Sequence, residues 1–93
     1  MEEEFKRAVA FIQDKSGPTI ESTNEQKLEF YGLFKQATEG PPKGSAPSRL
    51  KIIERAKFMA WKAKEKLSKE QAMQGYIDLV TTVAPRYRER SRL

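Results

Sequence analysis

Tyr31 and Lys35 stand one helical turn apart in the string FYGLFKQATEG (residues 30–40), and Lys57 precedes Phe58 and Trp61 in KFMAW. A lysine ammonium group and a phenolic hydroxyl both suit a phosphate, which accepts charge-assisted hydrogen bonds from them. An aromatic face suits a nucleobase. Tyr76 adds a further ring of the same kind. On an ideal helix the residues around this string fall on two stripes. Phe30, Leu33, Phe34 and Ala37 form one, and Leu28, Tyr31 and Lys35 form the second. Spacing alone leaves two readings of the second stripe. It addresses the base and phosphate of one nucleotide, or it is a core edge flanked by a snorkelling lysine.

The remaining composition excludes more than it offers. The chain has no histidine and no cysteine. The commonest general base, the commonest transition-metal ligand and every thiolate are therefore absent. The acidic residues are scattered singly apart from Glu2–Glu4, and no glycine pattern resembles a P-loop or a dinucleotide fingerprint. Catalytic and metal residues are accordingly expected to be none, and binding is the leading class of function. A net charge of +5 favours an anionic partner: nucleic acid, an acidic lipid surface or a phosphorylated small molecule. At 38% hydrophobic and 33% charged over 93 residues, the composition is that of one globular domain spanning residues 1–93. The acidic start MEEEFKRAV lacks a secretory pattern and no apolar run spans a bilayer, so a cytoplasmic protein is expected.

These side chains must be positioned by helices, because no stretch alternates with period two. Phe5, Ala8, Val9 and Ile12 mark a first amphipathic helix behind three glutamates that suit its dipole, with Gly17-Pro18 as its stop. Thr23 and Gln26 form a capping box for a second helix over 24–39, closed by Gly40-Pro41-Pro42. Ser48 is the expected N-cap of a third helix running to about Lys66, with Leu50, Ile53, Ala56, Ala60 and Trp61 at helical spacing. Ser68 and Gln71 form a second capping box. The stripe behind it runs from Met73 through Tyr76, Ile77, Val80, Val83 and Ala84 to Tyr87, interrupted by Pro85. The expected fold class is an all-α bundle of four helices. The tail RYRERSRL spreads its arginines around a helix and reads as a solvated end rather than a nucleic-acid arm.

Three strings resemble the acyl-CoA-binding protein family. FYGLFKQATEG is similar to its second-helix signature. AKFMAW (56–61) is similar to its Ala-Lys-Trp-x-Ala-Trp, and LSKEQAMQGYI (67–77) to its Ser-Lys-Glu-x-Ala-Met-x-x-Tyr-Ile. The resemblance implies an up-down-down-up bundle that holds long-chain acyl-CoA, with no cofactor. It implies that Tyr31, Lys35 and Lys57 grip the adenosine 3'-phosphate, that Tyr31 stacks on adenine and that Tyr76 lies at the same site. Leu28 and Val9 would lie near the ligand, and Phe5, Ile12, Ile77 and Val80 would form the seam between first and last helices. Phe58 stands where the family has a tryptophan, Gln13 where it often has lysine, and Ile52 where its loop usually carries an aromatic.

The function implied is an acyl-CoA carrier and buffer, monomeric, in transient contact with anionic membranes or acyl-CoA-using enzymes. The alternative is the same bundle used for protein or membrane docking within a larger protein. Nucleic acid is not the expected partner.

Overall fold

A computed structural model describes residues 1–14 and 22–85, and its four helices are α1 (Glu2–Gln13), α2 (Asn24–Glu39), α3 (Ile52–Lys62) and α4 (Lys69–Val83). No strand occurs among the described residues. No helix among them is long and apolar enough to cross a membrane.

Both capping boxes form. Thr23 Oγ1 accepts from the Gln26 amide at 3.0 Å while Gln26 Oε1 accepts from the Thr23 amide at 2.9 Å. Ser68 and Gln71 exchange the same pair at 3.0 and 2.9 Å. Each box satisfies two amides that the helix start would otherwise leave unpaired. Gly40, at φ 79°, ends α2 in a backbone region that favours glycine, its amide donating to the Gln36 carbonyl at 3.1 Å. α4 stops at Val83, where Ala84, at φ −138° and ψ 76°, leaves the helical region ahead of Pro85.

Three expected boundaries shift. α1 ends at Gln13, before Gly17-Pro18, which lies outside the described residues, as do Tyr87 and the tail from 86 to 93. Ser48 does not cap α3. Its hydroxyl accepts from the Leu50 amide at 3.2 Å and its carbonyl from Lys51 at 2.9 Å, a local turn that delays the helix to Ile52. α3 closes at Lys62 rather than Lys66, because the amides of Lys64, Glu65 and Leu67 bond three residues back in successive tight turns.

Packing gives the topology. Phe30 meets Tyr76 while Ala37 and Met73 line one groove, so α2 and α4 run antiparallel. Phe5 meets Phe34 whereas Ile12 shares a hollow with Lys27 and Phe30, so α1 is antiparallel to α2. Lys57 reaches Tyr31 and Trp61 reaches Lys35, so α3 is parallel to α2. The bundle is therefore up-down-down-up.

Its core joins Phe5 and Ala8 of α1, Phe30, Leu33 and Ala37 of α2, and Ala72, Met73, Tyr76, Ile77 and Val80 of α4. Ile12 packs against its edge, completing the seam with Phe5, Ile77 and Val80. α3 contributes no buried residue and packs only on α2. Of its expected apolar positions, Ala56, Ala60 and Trp61 are half-buried, whereas Leu50 and Ile53 are 92% and 68% exposed. Gly32 lets α3 approach: a Cβ there would stand 2.5 Å from the Ala60 carbonyl oxygen.

Candidate functional site

The second stripe of α2 lies between packing and solvent, since Leu28, Tyr31 and Lys35 are all half-buried. Tyr31 and Lys35 border a hollow of about 370 Å³ formed with Ile12 and Gln13 of α1, Lys27, Phe30 and Phe34 of α2, and Tyr76 of α4. Its walls are mainly apolar rings, and the cations Lys27 and Lys35 lie among them. An adjoining groove of about 480 Å³ between α1 and α2 shares Gln13 and Phe34 and includes Val9, Phe5 and Lys6, with Met73 beneath. A third hollow of about 300 Å³ continues from Ile12, Lys27 and Phe30 towards Ser22.

The sequence-predicted residues thus divide. Tyr31, Lys35 and Tyr76 share one hollow, and Val9 lines the neighbouring groove. Leu28 borders neither. Lys57 arrives from α3 and places its ammonium 5.5 Å from the centre of the Tyr31 ring. In this arrangement one face of Tyr31 is already under a cation, an attraction of order 0.5–1 kcal/mol at an exposed site. The four-carbon stem of Lys57 is flexible enough to swing from the ring to a nearby anion.

Lys35 is held on two sides. Its ammonium lies 5.1 Å from the Trp61 ring centre and is ion-paired with Glu39 one turn further on. The hydrogen bond to Glu39 raises the Lys35 pKa above the ordinary lysine value, against the opposing effect of burial. Tyr76 is only 3% exposed, its ring edge-on to Phe5 at 5.3 Å and to Phe30 at 5.0 Å. Burial pushes its phenol up to about 12. It is a wall of the hollow, fixed by core packing, rather than a mobile contact.

Sequence reasoning missed several contacts that build the site. Trp61 donates its indole N–H to the Gly40 carbonyl at 2.7 Å, which fixes the ring that Lys35 covers. Gln36, 2% exposed, donates to the Leu67 carbonyl at 2.8 Å and ties α2 to the turn before α4. Lys64 pairs with Glu29 at 2.5 Å, a second link between α2 and the end of α3. Glu39 carried a local signal, its spacing of four from Lys35. No group of three or more His, Cys, Asp or Glu among the described residues is placed to hold a metal.

The arrangement defines a class: a small helical binding protein with cations and rings gathered beside an apolar cleft. The acyl CoA binding protein family matches residues 2–80, and the chain belongs to that family. It is 41% identical over 91 residues to acyl-CoA-binding domain-containing protein 1 of Arabidopsis thaliana, covering 96% of this chain and 27% of that protein. Against the acyl-CoA-binding protein of Ricinus communis it is 52% identical over 59 residues, 63% of this chain and 66% of the relative. The chain therefore spans about a quarter of the first relative's length and about two thirds of the second's. The crystal structure of Oryza sativa acyl-CoA-binding protein 2 superposes with a TM-score of 0.80 at 36% identity, covering 99% of this chain and 92% of that one.

Proposed function

We propose that the protein binds long-chain fatty acyl-CoA without chemical change and serves as its carrier and buffer in the cytoplasm. Family membership and fold support acyl-CoA binding. The observation that carries the finer reading is the gathering of Tyr31, Lys35 and Lys57 beside apolar hollows. Acyl-CoA needs both halves of such a site, because its head is anionic and its tail is apolar. Two lysines and a phenol answer the phosphate. Removing the tail from water contributes about 0.8 kcal/mol per buried CH₂. In this reading Lys57 and Lys35 leave their aromatic rings and Glu39 for the phosphate, and Tyr31 then offers its freed face to adenine. Val9 borders the path of the ligand and Tyr76 backs it, while Leu28 stays outside the hollows on the stripe it shares with Tyr31 and Lys35.

Calorimetric titration with palmitoyl-CoA, free CoA and palmitate in parallel tests this. Binding that requires the thioester is expected, and palmitate binding as well as palmitoyl-CoA would overturn the phosphate grip. Lys35→Ala and Lys57→Ala are each expected to weaken palmitoyl-CoA binding by about 1.5–3 kcal/mol, with circular dichroism unchanged. Full affinity in both variants would remove these residues from the site. The 27% share of the Arabidopsis relative favours a second reading, in which such a bundle is used mainly for protein or membrane docking within a longer protein.

A further inference from the structure

Among the described residues, every exposed large apolar side chain except Met1 lies on α3 or just before it. Leu50 is 92% exposed, Ile52 76%, Ile53 68% and Met59 46%. The same stretch concentrates the charge of the molecule. Residues 40–66 hold eight lysines and arginines against two glutamates, a net +6 in a chain whose total is +5. Arg49, Lys51 and Lys62 pair with no carboxylate among the described residues. Among the described residues no other helix covers this side, because α3 packs only on α2 and buries no residue. Ile52 and Met59, seven residues apart, share one stripe of α3 away from the Ala60 backbone that abuts Gly32.

Single exposed apolar residues need no explanation, but several interleaved with unpaired cations form a surface with both apolar and anionic affinity. We infer that the end of the α2–α3 loop and the outer face of α3 dock on an anionic phospholipid bilayer. Leu50 and Ile52 enter the boundary between headgroups and acyl chains, and Arg49, Lys51 and Lys62 lie against the lipid phosphates. Charge complementarity selects this occupant. A second copy would set +6 against +6, which opposes association. A bilayer accepts protruding side chains without a matching pocket and supplies the negative potential that basic residues follow. The inference stands on exposure and charge and does not depend on the acyl-CoA reading.

The chain contains no cysteine, so Ile52→Cys and, separately, Thr82→Cys on the exposed surface of α4 each accept one environment-sensitive dye. The probes are vesicles of phosphatidylcholine alone and with about 30 mol% phosphatidylserine. The dye at residue 52 is expected to shift to the blue with the anionic vesicles only, and the dye at residue 82 not to shift. In vesicle sedimentation of unlabelled protein, combining Arg49→Gln with Lys51→Gln is expected to lower the partition coefficient roughly 25-fold, at about fivefold per basic residue. Raising salt is expected to act in the same direction. Absence of binding, equal shifts at both positions or equal binding to the two vesicle types would overturn the inference. A concentration-dependent shift at residue 52 without vesicles would assign the face to self-association and overturn it equally.

Discussion

At the scale of single residues, Lys35 is the side chain whose partners say most about binding. In the proposed complex its pair with Glu39 occupies the ammonium that the phosphate needs, and the Glu39 carboxylate adds repulsion toward the anionic head group. Lys35 is 25% exposed and Glu39 52%, so the pair resembles surface pairs worth about 0–1 kcal/mol. Glu39→Gln is therefore expected to leave the midpoint of chemical denaturation nearly unchanged and to tighten palmitoyl-CoA binding several-fold. Weaker binding in that variant would show Glu39 orienting Lys35 rather than restraining it. Tyr76 makes a different prediction. Its folded pKa of about 12 lies above the ordinary tyrosine value of 10.0. The native state therefore holds the proton longer than the unfolded chain between those values, and the contribution of Tyr76 to stability is intact below pH 10 and declines as pH rises towards 12. Tyr76→Phe removes that ionisation, so its stability is expected to fall less steeply over this interval, and the titration of tyrosine absorbance is expected to lose its step near pH 12.

At the scale of elements, α2 and α4 could be bounded from sequence because their caps are local. Thr23 with Gln26 and Ser68 with Gln71 are three residues apart, so the pattern and its physical cause fit in one short window. The stripes of α2 were legible for the same reason, and the half-burial of Leu28, Tyr31 and Lys35 follows from their angular position. α3 was harder. Its apolar spacing implied a packed face, yet the helix buries no residue, and a seryl hydroxyl that suits an N-cap serves a turn two residues on. Gln36 and Trp61 find partners 31 and 21 residues away, and no local pattern announces such contacts. Gly32 is the element-scale test. A Cβ there would meet the Ala60 carbonyl at 2.5 Å and the Trp61 amide nitrogen at 3.3 Å, both backbone atoms that cannot turn aside. Gly32→Ala is expected to destabilise the protein by about 1–3 kcal/mol in urea denaturation and to weaken ligand binding by displacing Lys57. At Gly75 the added Cβ meets the Leu33 side chain, closest at Cδ2, 3.0 Å away, the end of a flexible side chain. Gly75→Ala serves as the comparison and is expected to cost less, since both helices gain roughly 0.5–1 kcal/mol from replacing glycine by alanine but at Gly75 only a side chain has to yield.

At the scale of the whole molecule, the bundle is a three-helix core with a fourth helix laid on its side. Among the described residues α1, α2 and α4 supply all the buried apolar side chains, while α3 is held to α2 by the Gly32 contact, the Trp61–Gly40 hydrogen bond, the Gln36 tie to the turn beyond it and the Lys64–Glu29 pair. Segments with few buried apolar contacts open at lower free energy than the core. Amides of α3 are therefore expected to exchange with deuterium faster than those of α2 and α4 in the ligand-free protein. In the proposed complex, Lys57 on α3 and Tyr31 and Lys35 on α2 grip one phosphate, so the ligand closes a link between the side-laid helix and the core. A ligand that binds only the closed arrangement adds RT ln(1 + [L]/Kd) to its stability, about 2.7 kcal/mol at a hundredfold excess over Kd. Saturating palmitoyl-CoA is accordingly expected to slow exchange across residues 52–62 more than across α4. If α3 already exchanges as slowly as α4 without ligand, the side-laid helix is not the weak element. If palmitoyl-CoA binds but leaves α3 exchange unchanged, the phosphate does not bridge the two helices.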